Sequence, residues 1–108
     1  MTVRWRVPPD EASAIASALQ ALMMQTRGEP GCAECSLTTE RGARVAIDYL
    51  ERWDSEADMR RQIRSDRFAA LAELIEHATE HPVIEFDLPG GVRGLDYAVD
   101  ARLRPEAG

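Results

Sequence analysis

The sequence predicts an α+β domain of ferredoxin-like layout, and three observations carry that prediction. Short apolar stretches of period two alternate with stretches of helical period in the order β-α-β-β-α(α)-β. The second and third strands are joined only by Arg41-Gly42-Ala43, a turn tight enough to impose an antiparallel hairpin. The 108 residues suffice for a single domain, residues 1–108, with one modest core. Right-handed crossovers then select a four-stranded antiparallel sheet whose first strand lies between the third and fourth, with helices on one face.

Each element has its own signal. Thr2 to Val7 places Val3, Trp5 and Val7 on one side and Thr2, Arg4 and Arg6 on the other, which predicts a half-buried strand. Pro8-Pro9 stops it, and Asp10 offers a carboxylate to cap the helix that follows. In that helix Ala12, Ile15, Ala16, Leu19, Leu22 and Met23 form one apolar stripe, which ends at Gly28 and Pro30-Gly31. Cys32 to Glu40 alternates again, with Ala33, Cys35 and Leu37 on one face. Arg44 to Trp53 sets Val45, Ile47, Tyr49, Glu51 and Trp53 against Ala46, Asp48, Leu50 and Arg52.

Ser55 with Asp58 resembles a capping box and opens a short helix to about Arg64; Ser65-Asp66 recaps a second one carrying Phe68, Leu71, Ala72, Leu74, Ile75 and Ala78. Val83 to Leu88 is the fourth strand, with Ile84, Phe86 and Leu88 inward. After Pro89-Gly90-Gly91, residues 95–104 alternate strictly, and the period predicts an extra C-terminal strand beyond a core of residues 2–88. The apolar row of that strand lacks a partner inside one subunit, so a homodimer is expected.

Charge narrows the function. Thirteen basic residues, all Arg, stand against 19 acidic ones, and a net charge of -6 opposes binding to nucleic acid. No apolar run approaches the roughly 20 residues a membrane span needs. The N-terminal Met1-Thr2-Val3-Arg4-Trp5-Arg6-Val7 has no signal-peptide character, so a cytoplasmic location is expected. Cys32 and Cys35 form one Cys-x-x-Cys, too few ligands for a zinc site. Strand alternation points the two thiols to opposite faces, where they serve as small buried apolar groups. Neither His77 nor His81, near the end of the last core helix, belongs to a metal-ligand cluster, and surface roles are expected for both.

Three short motifs carry a resemblance. Arg27-Gly28-Glu29-Pro30-Gly31-Cys32, then Glu51-Arg52-Trp53, then Ser65-Asp66-Arg67-Phe68 resemble the antibiotic biosynthesis monooxygenase family of dimeric α+β barrels, over roughly residues 2–88. The resemblance implies two subunits packed sheet to sheet, each with a pocket between sheet and helices. It also implies cofactor-independent oxygenation of a phenolic, quinol or polycyclic aromatic molecule, with no cofactor and no metal. Trp53 matches the family's pocket tryptophan. The histidine many members carry on the next helix, six residues before the phenylalanine, falls here on Gln62. The haem-degrading branch is less similar, because the chain has no Asn and the helical His position holds Ala72.

Such chemistry needs flat walls, a base and exclusion of water. Tyr49, Trp53 and Phe68 are expected to supply the walls, with Met59, Leu71 and Ile75 as further lining. Without a helical His the candidate base is Glu51, set by alternation on the apolar face between Tyr49 and Trp53, where burial raises a carboxyl pKa. The competing role is structural, an ion pair with Arg67 or Arg27. Gln62 cannot take a proton but can orient a phenol or carbonyl oxygen, unless it is simply exposed to solvent. Glu51, Trp53 and Gln62 are thus the catalytic candidates. A non-catalytic dimeric binding protein, or an isomerase or decarboxylase of the same barrel type, are the alternatives.

Overall fold

The computed structural model describes residues 1–103. The chain runs β1 (Thr2–Val7), α1 (Pro9–Thr26), β2 (Cys32–Glu40), β3 (Val45–Trp53), α2 (Glu56–Ile63), α3 (Asp66–Glu76), β4 (Val83–Leu88), β5 (Gly91–Arg93) and α4 (Leu95–Leu103). The antiparallel sheet has the order β2-β3-β1-β4-β5, so the four core strands take the expected ferredoxin-like arrangement. The sheet is open, with β2 and β5 as its edges.

The inward row of β1, Val3, Trp5 and Val7, is buried against Leu19 and Ile15 of α1 and joins Ile47 and Tyr49 of β3 and Phe86 of β4 in one core. Each large apolar side chain removed from water there contributes about 1.5–3 kcal/mol. The outer face carries the charges. Arg4 pairs across the ladder with Asp48, and Arg52 reaches Glu34 at 3.0 Å. Both pairs are exposed and contribute little to stability.

The helices begin as the sequence requires, with one exception. Ser55 Oγ accepts from the Asp58 amide at 3.1 Å and Ser65 Oγ from the Phe68 amide at 3.3 Å. Asp10 does not cap α1. The helix starts one residue earlier, at Pro9, whose fixed φ suits the first position, and Asp10 sits in the first turn, where its charge favours the dipole.

Two expectations are corrected. The first concerns β2. Cys32 pairs with Trp53 and Cys35 with Glu51, with a bulge between Cys32 and Glu34. Trp53 and Glu51 are two residues apart on one face, so the bulge brings both cysteines to that face and turns Ala33 out to solvent. The thiols therefore do not point to opposite sides.

The second concerns the C-terminal segment. The extra strand is only Gly91–Arg93, paired with β4, and Leu95–Leu103 is helix; Arg104, the end of the predicted strand, lies outside the described residues. Tertiary packing overrides the two-residue alternation. Tyr97, Ala98 and Ala101, at helical spacing, are buried, and the Tyr97 ring meets Phe86 with centroids 5.1 Å apart. Arg60 and Arg93 flank that ring, and Arg102 Nη1 donates to the Ile63 carbonyl, satisfying the end of α2. Leu95, Val99 and Leu103 form the opposite, exposed stripe. Two of the five residues in the apolar row, Tyr97 and Ala101, thus find their partners within the subunit.

Helix and strand make opposite forecasts for neighbouring alternate positions. Ala101→Asp buries a charge and should cost about 3 kcal/mol or more in chemical denaturation. Val99→Asp should stay within about 0.5 kcal/mol. Equal costs would reinstate the strand.

Candidate functional site

β3 ends where β1 begins and β4 finishes, and a cleft of about 520 Å³ opens at that corner. Glu51, Trp53 and Met59 line it, with Leu50, Leu88 and Pro89, and Asp54, Glu56 and Asp87 add carboxylates to its wall. Met1 extends the ladder past β1 and brackets the site. Its terminal ammonium donates to the Glu51 carbonyl and its carbonyl accepts from the Glu51 amide, each at 2.9 Å.

Glu51 is 1% exposed. Tyr49 and Trp53, its neighbours on the same strand face, aim donors at it. The Tyr49 hydroxyl donates to Oε2 at 2.7 Å and Trp53 Nε1 donates to Oε1 at 3.0 Å. Cys35 Sγ, brought inward by the bulge, donates to the Tyr49 oxygen at 3.3 Å. Burial holds the Glu51 carboxyl above the usual carboxylate range, with the Tyr49 and Trp53 hydrogen bonds opposing that rise. Burial also pushes the Tyr49 hydroxyl up, and the Cys35 thiol up to about 11.

Neither arginine considered as an ion-pair partner reaches Glu51. Arg27 Nε donates to the Cys35 carbonyl at 2.9 Å. Arg67 pairs with Glu29 at 2.5 Å and donates through Nε to Gln62 Oε1 at 3.0 Å. Gln62 is itself buried rather than solvated, and its Nε2 donates to Thr26 Oγ1 at 3.3 Å. Tyr49, Glu51 and Trp53 are thus gathered in one place, while Gln62 is held by Thr26 and Arg67. Of the expected site residues, Glu51, Trp53 and Met59 line the cleft, whereas Tyr49, Gln62, Phe68, Leu71 and Ile75 are buried and do not; Leu71 borders a separate depression of about 280 Å³ between α1 and α3.

The loop before β2 shapes the site. Gly31 has φ +86°, and a Cβ there would collide with the Asp58 carboxyl group. Its carbonyl accepts from the Asp54 amide at 2.8 Å, which ties the loop to the end of β3. Thr26, Glu29, Cys35 and Arg67 escaped selection as site residues. Glu29 and Arg67 stood in the quoted motifs, but periodicity gives no sign that they meet.

The profile of the antibiotic biosynthesis monooxygenase family matches residues 1–79. The chain belongs to the antibiotic biosynthesis monooxygenase family. A conserved protein from Methanosarcina mazei Go1 superposes with a TM-score of 0.62 at 22% identity, over 75% of this chain and 81% of that one, a likeness of fold. No curated protein matches the chain. The match ends before β4, so α4 and its packing are additions to the part of the chain that the family profile covers.

The buried carboxyl group makes stability depend on pH. Its folded pKa lies above the unfolded value of roughly 4.3, so the folded chain holds the proton more tightly. Its contribution is complete below the unfolded value and is lost as pH rises through the folded one. The melting temperature of the native chain should therefore fall with rising pH more steeply than that of Glu51→Gln. Parallel curves would show that Glu51 titrates like a surface carboxylate.

Proposed function

We propose that the cleft binds a flat phenol or hydroquinone and that Glu51 takes its proton, so that the electron-rich anion reacts with O2. The observation that carries this reading is the Glu51 carboxyl group, buried at the cleft and hydrogen-bonded by Tyr49 and Trp53, with no guanidinium on it among the described residues. A carboxyl held above its ordinary range is a better base for a weak acid than a solvated one. The Trp53 indole, half-buried in the wall, offers a face for stacking. Asp54, Glu56 and Asp87 accept hydrogen bonds from ring hydroxyls and repel anions, which favours a ligand that enters neutral.

The balance closes with the substrate as reductant. Oxidation of the ring C–H para to the phenolic oxygen, giving a quinone carbonyl, releases four electrons; one atom of O2 becomes the carbonyl oxygen and the other leaves as water. Glu51 accepts the first proton. We further propose a homodimer joined through the outer sheet face, where Arg4, Arg6, Asp48 and Arg52 are exposed and no described element covers them.

Gln62 supports a second reading. It stands where many family members have a proton-accepting His, and a chain without that base suits a non-catalytic ligand-binding protein.

Oxygen uptake with hydroquinones, naphthols and anthrones, chelator present, separates the two. Uptake of one O2 per substrate should fall about 100-fold or more in Glu51→Gln and decline in Trp53→Ala. Binding of the same compounds without uptake would establish the binding protein instead.

A further inference from the structure

A line of three buried polar groups leads away from the cleft. It begins at the Glu51 carboxyl group, passes through the Tyr49 hydroxyl and ends at the Cys35 thiol, all three residues being buried. The Tyr49 oxygen lies 2.7 Å from Glu51 Oε2, and Cys35 Sγ lies 3.3 Å from the Tyr49 oxygen. Among the described residues these two are the hydrogen-bond partners of the Tyr49 hydroxyl. Only Glu51 of the three lines the cleft.

Each link holds one hydrogen, and the chemistry of the groups decides its direction. A carboxylate only accepts, so with Glu51 ionised the Tyr49 hydrogen points to Oε2. The Tyr49 oxygen is then left to accept, and the Cys35 S–H supplies the hydrogen. Protonation changes the start of the line. The Trp53 indole is a donor only and holds Oε1 as its acceptor at 3.0 Å, so a proton taken up by Glu51 resides on Oε2, facing Tyr49. The short contact between these two oxygens admits a single hydrogen, which is now the carboxyl group's own. The Tyr49 hydrogen must turn to its other partner, the sulfur, which is a weak acceptor as well as a weak donor.

We propose that Cys35 is a positioning residue for Glu51, and that proton uptake by the carboxyl group reverses both hydrogen bonds of the chain. Cys35 donates to Tyr49 while Glu51 is ionised and accepts from Tyr49 once Glu51 is protonated. One proton binds Glu51; Tyr49 and Cys35 keep their own hydrogens, which only rotate. A thiol suits both roles, because its S–H is a weak donor and is left unmatched at little cost in the reversed state. Burial keeps that thiol protonated, so it enters the chain as a neutral group. The other titrating or charged groups around Glu51 are the Met1 ammonium ahead of β1, Cys32 on β2, Arg27 after α1, Asp54 and Glu56 at the entry to α2, and Asp87 on β4. Among the described residues none of them hydrogen-bonds to the Tyr49 hydroxyl or the Cys35 thiol, so their titration does not turn the chain.

The inference rests on the reading of Glu51 as a proton acceptor, but its test needs neither substrate nor oxygen, so the failure of one is distinguishable from the failure of the other. Infrared spectra of the ligand-free protein are recorded across pH in a Cys32→Ala background, which leaves Cys35 as the one thiol of the chain. The S–H stretch falls in a region clear of other protein bands and lies lower in frequency when the thiol donates. The carbonyl stretch of the protonated carboxyl group, identified by its loss in Glu51→Gln, gives the Glu51 midpoint in the same spectra. As pH falls the S–H band should move to higher frequency with that midpoint. It should stay fixed in Glu51→Gln and in Tyr49→Phe. An S–H band unmoved over the pH range in which the protein is folded would overturn the proposal. So would a shift that persists in Glu51→Gln, or in folded Tyr49→Phe, because the thiol would then answer to some other group.

Discussion

The site depends on one costly act, the burial of the Glu51 carboxyl group on the apolar face of a strand. Removing a carboxylate from water costs several kcal/mol unless hydrogen bonds replace the lost hydration. Here the replacement is local. Tyr49, Glu51 and Trp53 occupy alternate positions of β3, so strand geometry alone places a hydroxyl and an indole N–H on either side of the carboxyl group. An ion pair would have fixed the group as a carboxylate. The uncharged Tyr49 and Trp53 donors leave it able to take up or release a proton; burial raises its pKa, and those hydrogen bonds and the charge of the Met1 ammonium oppose the rise.

The loop of residues 27–31 and the bulge that follows extend this arrangement to a second strand. With regular pairing from Cys32 onward, the alternation would have sent one cysteine outward. The extra residue turns Ala33 out and keeps Cys32 and Cys35 on the face of Trp53 and Glu51. Cys35 then supports the Tyr49 hydroxyl, and burial keeps its thiol protonated, with a pKa pushed up to about 11. Such a thiol is a packing group and a weak donor, not a nucleophile. The bulge therefore serves the carboxyl group, and the Cys-x-x-Cys spacing is a consequence of it.

Much of this was legible in the sequence, and the exceptions have a common cause. The four core strands, the faces of β3 and the serine caps of α2 and α3 follow from local pattern, and they fixed Glu51 as inward-facing. Local pattern cannot reveal a bulge, because one inserted residue leaves the alternation on each side looking regular. Nor can it choose partners across the fold. Arg27 and Arg67 were both plausible counter-ions for Glu51, yet one binds a carbonyl and the other an amide and Glu29. The segment 95–103 failed for a related reason. Its apolar residues satisfy a strand period throughout, but Tyr97, Ala98 and Ala101 also make a helical face, and Phe86, Arg60 and Ile63 were waiting to receive it.

In the proposed chemistry, basicity and protection of the product anion have one origin. A phenol is a weak acid, so a carboxylate in water is a poor base for it, and the anion once formed would be quenched by protons from solvent. Withdrawing Glu51 from water raises its affinity for the proton and at the same time removes the solvent that would return one. An exposed glutamate at this position would lose both properties together. In that reading the bulged strand and the two aromatic donors serve one carboxyl group. None of these features would be needed if Glu51 merely filled space, since a leucine on the same face would pack without them.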